Sequence, residues 1–136
     1  MGKILGVDFG GVRTGLAITD QLQIIASPYK TLKTNNNKEL INNLKEIVLL
    51  ENIERIIVGL PIGSHGKETK RTKLTRKFIK ELQDSIEIPV KVMDERYTSD
   101  EAKEILVKQG VKTGHNKGKV DQTAAAIILR RYLDEQ

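Results

Sequence analysis

Three strand-like segments, separated only by short turns, open this chain before any helical pattern begins, and this order admits few folds. Lys3 to Phe9 reads as a buried strand running into Gly10-Gly11, where the backbone can turn sharply without a Cβ penalty. Thr14 to Thr19 gives a second strand, and Asp20-Gln21-Leu22-Gln23 a turn into a third, Ile24 to about Leu32. This opening predicts an antiparallel meander. From Asn37 to Asn52 the residues Leu40, Ile41, Leu44, Ile47, Val48 and Leu50 recur at helical spacing, with Asn35 to Asn37 as N-cap candidates. Arg55 to Val58 is a short buried strand ended by Gly59 and Pro61. Glu68 to Asp84 is helical, with Leu74, Phe78, Ile79 and Leu82 as its apolar stripe. Val90 to Met93 forms a fifth strand. Thr98 and Glu101 have the spacing of a capping box at the start of the next helix, and the last helix runs from about Val120 to Leu133. With no repeat and no linker, the order βββαβαβαα describes one α/β domain spanning residues 1–136.

That order gives meaning to three acidic positions. Asp8 falls at the carboxyl end of the first strand and Asp94-Glu95 at the carboxyl end of the fifth, where open α/β sheets form their ligand crevices. Side chains alternate across a strand, so only one of Asp94 and Glu95 shares the face of Asp8. Asp121 joins them if the last helix packs close to the sheet, which small Ala124 and Ala125 permit. Taken singly, each acid has an ordinary reading: Asp8 as a turn residue, Asp121 as a helix cap, Asp94 or Glu95 as a loop charge or a partner for Arg96. Taken together, they point to a metal-dependent nuclease. Three carboxylates in one cleft repel each other unless divalent cations neutralise them, and such cations serve phosphodiester chemistry.

Charge and composition fit an acidic partner. The formal charge is +5, and seven bases (Lys67, Lys70, Arg71, Lys73, Arg76, Lys77, Lys80) crowd the segment 67–80, against one acid, Glu68. On a helix they form a surface that can track a phosphate backbone, although a charge-rich helix is often simply a solvated one. Arg13 and Arg96 flank two of the acids, and Lys117 and Lys119 precede Asp121, in a segment that reads as a flexible loop. The absence of cysteine excludes disulfides and thiolate metal sites and suits a reducing cytoplasm. No apolar run reaches membrane-spanning length. Stacking platforms for splayed bases are scarce, with only Phe9, Tyr29, Phe78, Tyr97 and Tyr132 present.

DFGGVRTG near the start, VGLP at 58–61, DERYTSDEA at 94–102 and NKGKVDQTAAAIIL at 116–129 together resemble the YqgF family, whose members are described as pre-16S rRNA nucleases or Holliday junction resolvases. The resemblance spans essentially the whole chain. It implies a ribonuclease H-like fold: a five-stranded mixed sheet, strands one to three antiparallel, flanked by helices. The family's acidic triad maps onto Asp8, Glu95 and Asp121, which would hold Mg²⁺ or Mn²⁺, hard ions suited to oxygen ligands. Asp94 then supports the site structurally. Arg13, Arg96, Lys117, Lys119, Lys70, Arg71, Lys73, Arg76 and Lys77 become candidate phosphate contacts. One departure lies in the loop after VGLP, which reads IGSHGKETKRT where many relatives carry Asn or Asp before the corresponding Gly. His65 and His115 have surface-loop readings and are left out of the catalytic set.

The expected function is a metal-dependent endonuclease that trims the 5′ end of pre-16S rRNA, acting on the RNA alone or on ribosomal particles. The alternatives are a resolvase of branched DNA and a non-catalytic nucleic-acid-binding or ribosome-assembly factor. A DFGG hairpin is also similar to the phosphate loop of actin-like ATPases and sugar kinases, but those need a second such domain. GLPIGSHGKE is not a Walker loop, because Pro61 and Glu68 stand where Gly and Ser or Thr are required. Neither RNA-versus-DNA choice nor oligomeric state is written in these residues.

Overall fold

The computed structural model describes residues 2–63, 66–95 and 98–136, without the side chains of Thr98, Ser99 and His115. Arg96, Tyr97 and His65, and the side chains of Thr98 and His115, therefore lie outside the described residues. The elements are β1 (Lys3–Asp8), β2 (Arg13–Thr19), β3 (Ala26–Lys33), α1 (Asn37–Leu50), β4 (Ile53–Leu60), α2 (Lys70–Ser85), β5 (Val90–Asp94), α3 (Thr98–Lys108) and α4 (Lys117–Asp134). They form one five-stranded sheet in the order β3-β2-β1-β4-β5. The first three strands pair antiparallel, and β4 and β5 continue the sheet parallel to β1. This is the mixed sheet and element order that the sequence predicts.

Alternation along the strands divides the core into two layers. Leu5, Val7 and Phe9 of the β1 segment join Leu16, Ile56 and Val58 beneath α1 and α2, where Leu40, Leu44, Phe78 and Leu82 close the layer. Ile4, Ala17 and Ile57 face the other way, against Ala125, Ile128, Leu129 and Tyr132 of α4. The helix α3 packs on α4 through Ala102, Leu106, Val120, Ala124 and Ile127. The edge strand β3 is mostly exposed or half-buried, as expected of a strand paired on one side only.

Glycines let α4 lie unusually close to the sheet. A Cβ at Gly15 would stand 2.1 Å from the main-chain oxygen of Asp121, and one at Gly6 would stand 3.0 Å from that of Ala125. Real Cβ atoms essentially never approach backbone to 2.1 Å, so the helix seat depends on these positions having no side chain.

The structure corrects several details. Helix α2 turns Thr72 and Thr75 inward with Phe78, Ile79 and Leu82, whereas Leu74 is 51% exposed. The buried hydroxyls are satisfied: Thr72 Oγ1 donates to the Pro61 carbonyl and Thr75 Oγ1 to that of Arg71. Leu50, on the last turn of α1, is also exposed. Helix α4 begins at Lys117 rather than Val120, so Lys117 and Lys119 belong to a helical turn and not to a loop. Tertiary bonds hold that turn: Thr31 Oγ1 donates to the Gly118 carbonyl at 2.7 Å and Gln122 Nε2 to Thr31 Oγ1 at 3.2 Å. Strand β3 begins at Ala26, because the Asp20 carboxylate accepts the amides of Ile24 and Ile25 and keeps both residues in the turn. The N-cap of α1 is Asn36, whose side chain accepts the Glu39 amide.

Candidate active site

Each of the three acids is delivered by a different part of this framework. Asp8 is the last residue of β1, is 4% exposed, and pairs in register with Gly15 of β2. Asp121 lies in the second turn of α4, with its main chain resting directly on Gly15. The glycine that lets the helix approach is thus the cross-strand neighbour of Asp8. Asp121 is not an N-cap, since the helix starts at Lys117. Glu95 follows β5, and its amide donates to the Leu60 carbonyl at 3.2 Å, extending the ladder by one residue. Its carboxylate lies over Gly59, where an added Cβ would come within 2.9 Å of it. Val7 pairs with Val58, so Asp8 and Gly59 are the next positions on neighbouring strands.

Glu95 is 5% exposed and its carboxyl stands beside that of Asp8, whereas Asp94 is exposed and its carbonyl accepts from Arg131 Nη1 at 3.3 Å. Burial pushes the Asp8 carboxyl above its ordinary range, and the charge of Asp121 pushes the same way. The neighbouring Glu95 carboxyl and the cation of Arg71 work against that shift. Arg71 Nη2 stands 3.6 Å from Asp8 Oδ1, and this buried oxygen accepts no hydrogen bond. On the other side, Arg13 Nε donates to Asp121 Oδ2 at 2.8 Å.

Asp8, Asp121, Arg13 and Arg71 border a cleft of about 490 Å³ whose lining also takes in residues 9–12, Asn37, Leu74 and Lys77; Glu95 lies behind Asp8 and is not part of that lining. Arg71, Leu74 and Lys77 recur at three-residue spacing along one side of α2, and that stripe forms a wall of the cleft. The ring of Phe9 stacks on Phe78 with centroids 4.4 Å apart, joining the end of β1 to α2. Of the candidate phosphate contacts, the structure gathers Arg13, Arg71 and Lys77 around the acids. Lys70, Lys73 and Arg76 are exposed on α2 but do not line the cleft, and Arg76 pairs with Glu68 at 2.9 Å. Lys117 is exposed, and Lys119 borders a separate groove between α3, α4 and β3. Asn37 was read as a capping candidate, and its place in the cleft lining has no signal in the sequence.

The donor set suits a hard divalent cation. It consists of carboxylate oxygens, one of them on Asp8 buried and without a hydrogen bond, beside a carboxyl whose charged form is disfavoured while no cation is bound. Among the described residues, no three His, Cys, Asp or Glu side chains already stand at ion-holding distance. Arg13 engages one Asp121 oxygen, so assembling the set requires a side-chain rearrangement.

Residues 2–135 match the profile of the RuvX family, described as Holliday junction resolvase. A relative from Maridesulfovibrio salexigens is 36% identical over 131 residues, covering 96% of this chain and 97% of its own. One from Halothermothrix orenii is 37% identical over 98% of this chain and 96% of its own. Both carry the name "Putative pre-16S rRNA nuclease". Among solved structures, the RuvC of T. thermophilus in complex with a Holliday junction substrate superposes with a TM-score of 0.61 at 15% identity, over 98% of this chain and 94% of that one. The yeast mitochondrial Holliday junction resolvase gives 0.57 at 11% identity, over 97% and 78%. These likenesses show a shared ribonuclease H-like fold.

Proposed function

This chain belongs to the RuvX family, and from that premise we propose that it is a divalent-metal-dependent endonuclease that cleaves phosphodiester bonds in structured nucleic acid. The observation that carries the reading is the buried Asp8, beside the buried Glu95, with one carboxylate oxygen left without a hydrogen bond at the edge of a cation-rimmed cleft. Asp8, Glu95 and Asp121 would hold Mg²⁺ or Mn²⁺, and such an ion supplies an acidified water and charge neutralisation at the phosphate. The chain's own cations do the rest. Lys77 and Arg71 reach the cleft from α2, and Arg13 from the start of β2, positions from which a phosphate backbone can be held across Asp8 and Asp121. Arg71 also offsets the negative charge on Asp8 while no ion is bound.

Cleavage of pre-16S rRNA, the substrate in the names of the relatives, is the first reading, and its form would be trimming of the precursor. On that reading the protein acts in the cytoplasm. No described helix is long and apolar enough to cross a membrane. Cleavage of a four-way DNA junction is the second reading, favoured by the description of the family. The test is cleavage of an rRNA precursor fragment and a four-way junction in Mg²⁺, Mn²⁺ or EDTA, beside Asp8→Asn, Glu95→Gln and Asp121→Asn. Metal-dependent cutting of the RNA alone, lost in all three variants, is the expected result. Cutting of the junction alone moves the substrate to DNA, and full activity in the three variants removes the proposed site.

A further inference from the structure

We propose that Arg13 is a substrate-released latch: in the idle protein its guanidinium occupies Asp121, and a nucleic-acid phosphate draws it away so that Asp121 becomes free to take a divalent cation. The inference rests on the reading above that the acids hold such an ion. Arg13 Nε and Asp121 Oδ2 are 2.8 Å apart, and the two side chains are 36% and 20% exposed, so solvent and an incoming phosphate can reach the pair. Partly exposed ion pairs of this kind are weak enough to exchange. Among the described residues, Nε is the only guanidinium nitrogen of Arg13 that makes a hydrogen bond, which leaves its two Nη groups available as donors for phosphate oxygens.

The main chain of Asp121 rests against Gly15, and freeing the carboxylate needs no change in that seat. Exchange is therefore a side-chain rotation rather than a helix movement. The bond to Arg13 competes with a metal ion for Asp121 Oδ2, and the guanidinium cation beside the carboxylate repels the ion from either oxygen. Nucleic acid and metal then bind cooperatively, each favouring the state in which Arg13 has left Asp121. Such coupling limits metal loading until substrate is bound.

Calorimetric titration with Mn²⁺ in the absence of nucleic acid tests the metal arm. Arg13→Gln should bind Mn²⁺ about threefold to tenfold more tightly than the native protein. Equal or weaker binding in the variant overturns the latch and leaves the metal-dependent reading standing. No Mn²⁺ binding by either protein overturns that reading, and the latch with it. The phosphate arm is read in EDTA, where no cleavage occurs, by anisotropy of a labelled RNA hairpin across a cycle of native, Arg13→Gln, Asp121→Asn and the double variant. Removing Arg13 should lower RNA affinity about threefold more in the Asp121→Asn background than in the native one. Strictly additive effects mean that Asp121 and phosphate do not compete for Arg13, and they overturn the proposal.

Discussion

Replacing Gly15 with Ala separates the seat of α4 from everything else that supports the cleft. The added Cβ would meet the main-chain oxygen of Asp121 at 2.1 Å and its carbonyl carbon at 2.3 Å. Ordinary van der Waals contact begins near 3.4 Å, so the helix backbone must retreat by about 1.3 Å. Neither neighbour is the flexible end of a side chain, so the strain falls on α4 as a body. Overpacking of this kind costs about 1–3 kcal/mol, which in a domain of this size lowers the melting temperature by roughly 3–12 °C. The same displacement carries Asp121 away from Asp8, and a misplacement near 1 Å costs on the order of 100-fold in rate. Calorimetry gives the first quantity and initial rates of RNA cleavage the second. Gly110→Ala serves as the control: φ there is +80° with no atom within 4 Å of the new Cβ, so it strains only the local backbone. That variant should lose about 1–2 kcal/mol and keep full activity. A Gly15→Ala protein that melts and cleaves like the native one would refute the argument that this glycine positions the acid.

Asp8→Asn should melt at or above the native protein at neutral pH without divalent ions. Burial holds the Asp8 carboxyl above its ordinary range, so its ionisation costs stability above that range; the advantage of Asn should vanish as acid protonates the native side chain. Arg71→Gln and Lys77→Gln should each reduce the salt slope of nucleic-acid binding by about 0.7–0.9, while Lys73→Gln leaves it unchanged; equal slopes in all three would remove the α2 wall from the interface. Asp20 is held below the ordinary carboxylate range by the Ile25 and Ile24 amides, so its support of the β2–β3 turn is present above that range and is lost as pH falls through its lowered value. Hydrogen exchange at Ile24 and Ile25, corrected for intrinsic rates, should show protection falling across that window, and Asp20→Ala should abolish the pH dependence.

The meander and the alternating half were legible because strand and helix periodicities differ and because Gly10-Gly11 and Gly59-Leu60-Pro61 punctuate them. The convergence of Asp8 and Glu95 was legible for the same reason, since both close parallel strands and alternation leaves one acid of the pair on the shared side. What escaped was contact between distant segments. Arg13 and Asp121 are 108 positions apart, and nothing local to either announces their bond. The inward face of α2 escaped because Thr72 and Thr75 count as polar in any hydrophobic pattern, yet both are buried with their hydroxyls bonded to main-chain carbonyls. The start of α4 escaped because Gly118 argues against a helix, whereas Thr31 of β3 holds the turn from outside.

The stack of Phe9 on Phe78 makes one mechanical body of two parts with different duties. Phe9 follows Asp8 directly in the chain, and Phe78 follows Lys77, which overhangs the cleft. On the proposed reading, a nucleic acid pulling on the cations of α2 pulls also on the strand end that carries Asp8, through two stacked, nearly parallel rings rather than through a loop. The proposed binding wall and the proposed catalytic acid would then move as one piece, because the ring stack ties their two elements together.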